Sequence, residues 1–216
     1  MSELPELNGP RLEPEGGNPE KLVILCHGFG SNGDDLYGLI PHLKQALPNA
    51  VYISPNAPEI CYGAPNGYQW FPLSTLSREE RLVGTLKAAP TLDHFIDQEL
   101  EKYGLENKDL VLVGFSQGTM MSLHVGLRRK SDIAGIIGFS GVMTLPENWQ
   151  EEITSKPPVA LIHGDMDNVV PVGMMHEAAS SLKEVDVDVT SHVSPGVMHS
   201  IGPDGLQVAL DFLAKL

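Results

Sequence analysis

A serine between two glycines follows a short apolar segment near the middle of the chain. The motif GFSQG occupies residues 114–118, after the apolar segment 110–113 and before a helical pattern over 117–129. A strand–turn–helix of this kind exposes a serine hydroxyl, and the flanking glycines leave room for the strained backbone. We therefore predict that Ser116 is a nucleophile. The alternative is a serine that caps the following helix.

A serine nucleophile needs a general base, and the base needs an acid that orients it. In alternating strand–helix proteins these partners follow the serine in the order acid, then histidine. Of eight histidines, only His199 lies in a loop after the last predicted strand, which favours it as the base over a solvated loop residue. Asp165 and Asp167 both follow the preceding strand. Asp165 is also suited to capping the local turn, so the spacing favours Asp167 without excluding Asp165.

A glycine-rich segment follows the first long apolar run. Gly28, Gly30 and Gly33 form a GxGxxG pattern, which is a dinucleotide-binding signature in some proteins. Asp34 and Asp35 would repel a pyrophosphate there, and no acidic residue ends the second strand to bind a ribose. A plain glycine-rich turn is a second interpretation. We favour a third, in which the segment forms an oxyanion hole.

Apolar segments alternate with helical patterns along most of the chain. Strands are predicted at 22–26, 51–54, 110–114, 133–139, 159–163 and 185–193, and helices at 33–46, 77–103, 117–129, 172–182 and 203–216. Pro90 is expected to break or kink the second helix. This alternation predicts an α/β fold with a mostly parallel sheet covered by helices on both faces. Residues 1–20 are expected to form an irregular arm with one short edge strand, and residues 21–216 a single domain.

The composition limits the classes of function. The chain has 216 residues and a formal net charge of −14, which disfavours binding to nucleic acid or to anionic lipid. Its two cysteines do not form a disulfide framework. No signal peptide or membrane-spanning segment is recognised, so we expect a cytoplasmic protein without membrane insertion.

Four motifs together resemble the phospholipase/carboxylesterase family of α/β-hydrolases, from about residue 9 to the C-terminus. They are HGFGSNGDD at 27–35, GFSQG at 114–118, HGDMDNVVP at 163–171 and PGVMHS at 195–200. The resemblance implies an α/β-hydrolase fold and the catalytic residues Ser116, Asp167 and His199. It also implies that the amides of Phe29 and Gln117 form the oxyanion hole.

Residues 64–73 resemble the loop beside the acyl site of that family, so Trp70 is a candidate wall of the substrate pocket. Packing in the core is the equal alternative for Trp70. The stretch GYQWFPL at 67–73 resembles the bacterial esterase branch more than the eukaryotic thioesterases.

We therefore expect a carboxylesterase that forms an acyl-enzyme on short to medium acyl esters, with no cofactor and no metal. The span 140–158 is too short for a cap domain, so an open site is expected. The expected partner is a small-molecule ester, and a homodimer is the one assembly left open. Lysophospholipase or acyl-thioesterase activity is the first alternative. A non-catalytic binding module and a nucleotide-dependent oxidoreductase are more remote.

Overall fold

The computed structural model describes residues 4–14, 16–75 and 77–216, so residues 1–3 and 15 of the predicted arm lie outside it. The strands are β1 Arg11–Leu12, β2 Lys21–Cys26, β3 Ala50–Ile53, β4 Glu59–Ile60, β5 Tyr68–Gln69, β6 Leu110–Phe115, β7 Gly135–Phe139, β8 Val159–Gly164 and β9 Val189–Ser194. The α-helices are α1 Gly33–Tyr37, α2 Ile40–Leu43, α3 Arg78–Tyr103, α4 Gln117–Gly126, α5 Gly173–Glu184 and α6 Pro203–Leu213.

Seven strands form one twisted layer in the order β1-β3-β2-β6-β7-β8-β9. All neighbours are parallel except β1, which runs antiparallel to β3. One apolar cluster joins the sheet to α3, α4 and α5, and a second joins its other face to α1, α2 and α6. The central strands are apolar on both sides because both faces are covered. This is the expected α/β-hydrolase fold.

No cap domain interrupts the fold between β7 and β8. Residues 140–158 contain one short 3₁₀ helix, Trp149–Glu152, and otherwise form a loop. The carboxyl edge of the sheet is therefore left open at this point. Among the residues that the structure describes, no helix has the length and apolar character needed to cross a bilayer.

The N-terminal arm is tied to the sheet edge at several points. Besides the β1–β3 pairing, the amide of Ser54 donates to the carbonyl of Pro10 at 3.0 Å. The Arg11 guanidinium also forms two 3.0 Å hydrogen bonds to the carboxylate of Glu99 on α3. The edge strand predicted near residues 11–13 is present.

Four elements differ from the sequence prediction. The predicted helix 33–46 is two short helices, with Pro41 in the first turn of α2. Helix α3 continues through Pro90 without a break. Strand β9 begins at Val189 rather than at residue 185, because Asp186 has a φ of 60° that turns the chain. The β4–β5 hairpin was not predicted, since its strands have two residues each and follow no alternating pattern.

Candidate active site

Ser116 occupies the turn between β6 and α4. Its φ of 53° and ψ of −112° are strained for a residue with a side chain. The amide of Ser116 donates to the carbonyl of Phe139 on the neighbouring strand at 2.9 Å, which holds the turn. The serine side chain makes no capping hydrogen bond to α4. The helix-cap alternative for Ser116 is therefore not observed, and the hydroxyl is available for another use.

The glycine after the turn lets α4 pack closely against β2. A Cβ atom at Gly118 would overlap the carbonyl oxygen of Cys26, the last residue of β2. Only glycine fits at this point without moving the helix away from the strand. The second glycine of the motif thus sets where the N-terminus of α4, and with it Ser116, lies over the sheet.

His199 and Asp167 contact each other directly. Nδ1 of His199 lies 2.7 Å from Oδ2 of Asp167 and donates to it. The imidazole also packs against Phe115, the residue directly before Ser116, with ring centroids 5.0 Å apart. His199 therefore lies between a buried carboxylate and the serine turn.

Asp167 is completely enclosed and fully hydrogen bonded. Its side chain is 0% exposed, and its Oδ1 accepts from the amides of Val169 at 2.9 Å and Val170 at 2.8 Å. Burial alone would raise the pKa of Asp167. The hydrogen bonds from His199, Val170 and Val169 outweigh burial, so the pKa is lowered and the group stays a carboxylate.

Asp165, the other carboxylate considered, has a separate contact. Its Oδ1 accepts from the amide of Gly196 at 2.6 Å, in the loop that leads to His199. Gly164 assists the same approach, because a Cβ there would overlap the carbonyl oxygen of Val197. Asp165 thus fastens the histidine loop to the end of β8, and it is Asp167 that reaches His199.

The predicted oxyanion segment lies beside the serine turn. Cys26 is paired with Gly114 in the β2–β6 register, which brings residues 27–30 next to residues 115–117. Gln117 is the first residue of α4, so its amide has no partner within the helix. Within the described parts of the chain, no backbone carbonyl accepts from the amide of Phe29 or of Gln117. Both amides are therefore free to donate to a ligand.

His27 supports the glycine-rich segment through two buried hydrogen bonds. Its Nε2 accepts from the amide of Ala57 at 2.9 Å, so the proton is on Nδ1, which donates to the carbonyl of Gly28 at 2.8 Å. Burial lowers the pKa of His27, which favours the neutral ring that both contacts require. The glycine-rich segment is consequently held from the core side.

Trp70 does not line an open pocket. It is 1% exposed, belongs to the main core cluster, and donates from Nε1 to the carbonyl of His27 at 3.0 Å. Its own amide donates to Oε1 of Gln117 at 2.9 Å. The core alternative therefore describes its position, because the indole is used to support the segments around the site.

A cavity of about 360 Å³ lies over the serine turn. Its lining brings together three of the predicted site residues and five others: Phe29, Ser116, His199, Leu73, Ser74, Met120, Val169 and Val170. Except for Ser74, the added residues are apolar. Leu73 lies in the segment 64–73 and both valines lie in the motif 163–171, but neither motif gave these residues a role. Ser74 and Met120 lie outside the motifs, and only their place at the carboxyl edge of the sheet could have suggested them.

A model of the phospholipase/carboxylesterase family matches residues 7–216. The chain belongs to the phospholipase/carboxylesterase family. The match covers the whole sheet and every segment that lines the cavity.

Curated relatives and a solved structure agree with this family. Acyl-protein thioesterase 1 of Saccharomyces cerevisiae is 28% identical over 225 residues, covering 97% of this chain and 98% of the relative. Acyl-protein thioesterase 1 of Neurospora crassa is 30% identical over 223 residues, covering 95% and 91%. The crystal structure of esterase PE8 is 43% identical with a TM-score of 0.94, covering 97% and 99%. The protein is thus a member of a hydrolase family that has both esterase and thioesterase relatives.

Proposed function

We propose that the protein is a serine carboxylesterase whose catalytic residues are Ser116, His199 and Asp167. The observation that carries this proposal is the hydrogen bond of 2.7 Å from His199 to the buried Asp167. His199 lines the same cavity as Ser116, whose side chain makes no capping hydrogen bond to α4. A nucleophile, a base and an orienting acid are the three groups that acyl transfer requires.

In the proposed first step, Nε2 of His199 takes the proton from the hydroxyl of Ser116 as Oγ attacks the ester carbonyl. The negative charge that forms on the carbonyl oxygen is held by the amides of Phe29 and Gln117. The imidazolium then gives its proton to the departing alcohol, which leaves an acyl group on Ser116. Water repeats the sequence, releasing the carboxylic acid and restoring the serine.

The lining of the cavity supports an acyl ester as the substrate. Leu73, Met120 and Val170 offer an apolar surface next to the serine, and none of the described lining residues is an aspartate, glutamate, lysine or arginine. Phe29 and Val169 line the cavity and are 42% and 48% exposed, so apolar surface faces the open space beside the serine. An apolar chain bound there would cover them. A cavity of about 360 Å³ suits short to medium acyl chains better than long ones.

A fluorophosphonate probe and a p-nitrophenyl ester series test the proposal. We expect one equivalent of probe on Ser116 in the wild-type protein, with no labelling and no turnover in Ser116→Ala. Ser140→Ala is the matched control, because Ser140 also directly follows a strand with a positive φ of 47° but is buried and does not line the cavity. Labelling that persists in Ser116→Ala would overturn the assignment of Ser116 as the nucleophile. Absence of labelling in the wild-type protein would overturn the proposal and favour a binding module.

Acyl-thioesterase activity is the second candidate, supported by the thioesterase relatives at 28% and 30% identity. The same three residues would serve both reactions. A matched pair of substrates with one acyl chain and either an oxygen or a sulfur leaving group separates the two. We expect a larger kcat/KM for the oxygen ester, and the opposite order would favour the thioesterase.

A further inference from the structure

A second histidine contacts the carboxylate of Asp167. His163 is the fifth residue of β8, is 1% exposed, and does not line the cavity. Its Nε2 lies 3.2 Å from Oδ2 of Asp167, the same oxygen that accepts from His199. The proposed reaction uses only one of these two imidazoles.

The contacts of His163 determine which ring nitrogen carries the proton. Nε2 lies 2.8 Å from the carbonyl oxygen of Val170. A carbonyl oxygen can only accept, so Nε2 must be the protonated nitrogen. Nδ1 is buried and has no hydrogen-bond partner within the described residues. The Nε2–H tautomer is therefore the form that fits, and its single N–H donates to the carbonyl of Val170, with Oδ2 of Asp167 close beside it.

Val170 connects His163 to Asp167 through two hydrogen bonds. Val170 accepts from His163 through its carbonyl and donates to Oδ1 of Asp167 through its amide, at 2.8 Å in each case. Oδ1 is thus held by the loop amides, and Oδ2 faces the two histidines. Because the Asp167 side chain is 0% exposed, no bulk water can replace a lost donor.

We propose that His163 is a positioning residue that acts through Val170: it holds the Val170 peptide, whose amide fixes Oδ1 of Asp167, so that Oδ2 faces Nδ1 of His199. This inference rests on the proposed function. Without the N–H of His163, the carbonyl of Val170 loses its donor, and the Val170 peptide whose amide holds Oδ1 of Asp167 is less firmly fixed. The carboxylate can then turn about its Cβ–Cγ bond, and His199 is less well aligned with the serine. A small misalignment of a catalytic group costs up to about a hundredfold in rate.

The test compares three substitutions at this position. Gln places an amide N–H near the position of Nε2, whereas the shorter Asn does not reach it and Leu has no donor. We expect kcat for ester hydrolysis to fall about tenfold to a hundredfold in His163→Leu and His163→Asn, with KM nearly unchanged. His163→Gln is expected to recover most of the lost kcat. The acid limb of the pH profile should be displaced in the Leu variant and restored in the Gln variant.

His124→Leu is the matched control, because it removes another buried imidazole that lies on α4 and does not line the cavity. It should lose stability without losing kcat. If the three His163 variants, folded by circular dichroism, match the wild-type kcat and pH profile, the inference is wrong. If His163→Leu does not fold, equal kcat in the Gln and Asn variants would overturn it. Loss of the proposed function itself would be seen separately, as undiminished activity in Ser116→Ala.

Discussion

At the scale of single residues, the site depends on close contacts between backbones as much as on its three reactive side chains. Ser116 is strained at a φ of 53°, and the strain is maintained by its hydrogen bond to Phe139 and by the approach of α4 to β2. A strained turn persists only where its surroundings fix it from several sides. The glycine at position 118 is the most demanding of these constraints.

We expect Gly118→Ala to lose esterase activity by at least a hundredfold. The new methyl group would overlap the carbonyl oxygen of Cys26, so α4 must move and the amide of Gln117 must move with it. Gly173→Ala, where no atom lies within 4 Å of the added methyl, is the control and should retain wild-type kinetics. Initial rates with a p-nitrophenyl ester measure both variants. Wild-type activity in Gly118→Ala would contradict this account of the turn.

A buried histidine away from the site gives a prediction on pH. Burial lowers the pKa of His124 to about 4. Between its ordinary value of about 6.5 and 4, the unfolded chain therefore binds a proton that the folded protein does not. The free energy of unfolding should fall as the pH drops through this range, by up to about 3 kcal/mol from this one group.

His124→Leu should remove this part of the acid sensitivity. Urea unfolding at pH 7 and pH 4.5 measures it as the difference between the two pH values in the variant and in the wild-type protein. The same difference in both proteins would show that His124 does not titrate in this way.

At the scale of elements, helix α3 shows how tertiary packing overrides a local signal. Pro90 has no N–H to donate to the carbonyl of Leu86, and a proline in a helix interior costs about 3 kcal/mol. The helix nevertheless continues, because buried residues on both sides of Pro90 hold it against the sheet, among them Ala88 before it and Leu92 after it. Pro90 itself is exposed, which leaves the carbonyl of Leu86 close to solvent.

Pro90→Ala is expected to stabilise the protein by about 2 kcal/mol. The substitution restores the missing hydrogen bond, which stabilises the folded protein. Part of this gain is offset, because the unfolded chain has more conformational entropy without the proline. Urea denaturation measures the gain, and kcat/KM should not change because Pro90 does not line the cavity. Glu101→Ala, also exposed on α3, controls for a general effect of alanine and should stay within about 0.5 kcal/mol of wild type. A Pro90→Ala variant no more stable than this control would count against the argument.

These elements also mark what the sequence could and could not predict. The parallel strands were predictable because each is a short apolar run. The N-terminus of α3 was predictable because a serine at position 77 is a residue type that caps helices. In the structure Ser77 has this role and accepts from the amide of Glu80 at 3.1 Å. The roles of Ser116, Asp167 and His199 remain predictions, but the strand ends that bring them together followed from their order in the chain. The contacts of His163 and the position of Trp70 did not follow, because they depend on how loops from distant parts of the chain pack. Local periodicity contains no information on such packing.

At the scale of the whole molecule, the carboxyl edge of the sheet combines an open entrance with an apolar lining. The loop 140–158 contributes no residue to the lining of the cavity, and two apolar residues of that lining, Phe29 and Val169, are exposed. A lipase that hides such a surface under a cap opens only at a lipid interface. We therefore expect that no segment of the described chain has to move before a dissolved ester reaches Ser116.

The rate should therefore follow ordinary saturation kinetics as an ester passes from monomers to micelles. We expect the rate of hydrolysis of a medium-chain p-nitrophenyl ester to rise hyperbolically up to its critical micelle concentration and then to level off, because the concentration of dissolved monomer no longer increases. A butyrate ester that forms no micelles serves as the control for the shape of the curve. A sharp increase in rate at the micelle threshold, absent for the butyrate, would require a closed form of the site. Under the proposed function an acyl chain covers Phe29 and Val169, so KM should instead fall as the chain lengthens, by about three- to fourfold for each CH₂ that is fully buried, until the chain outgrows the cavity.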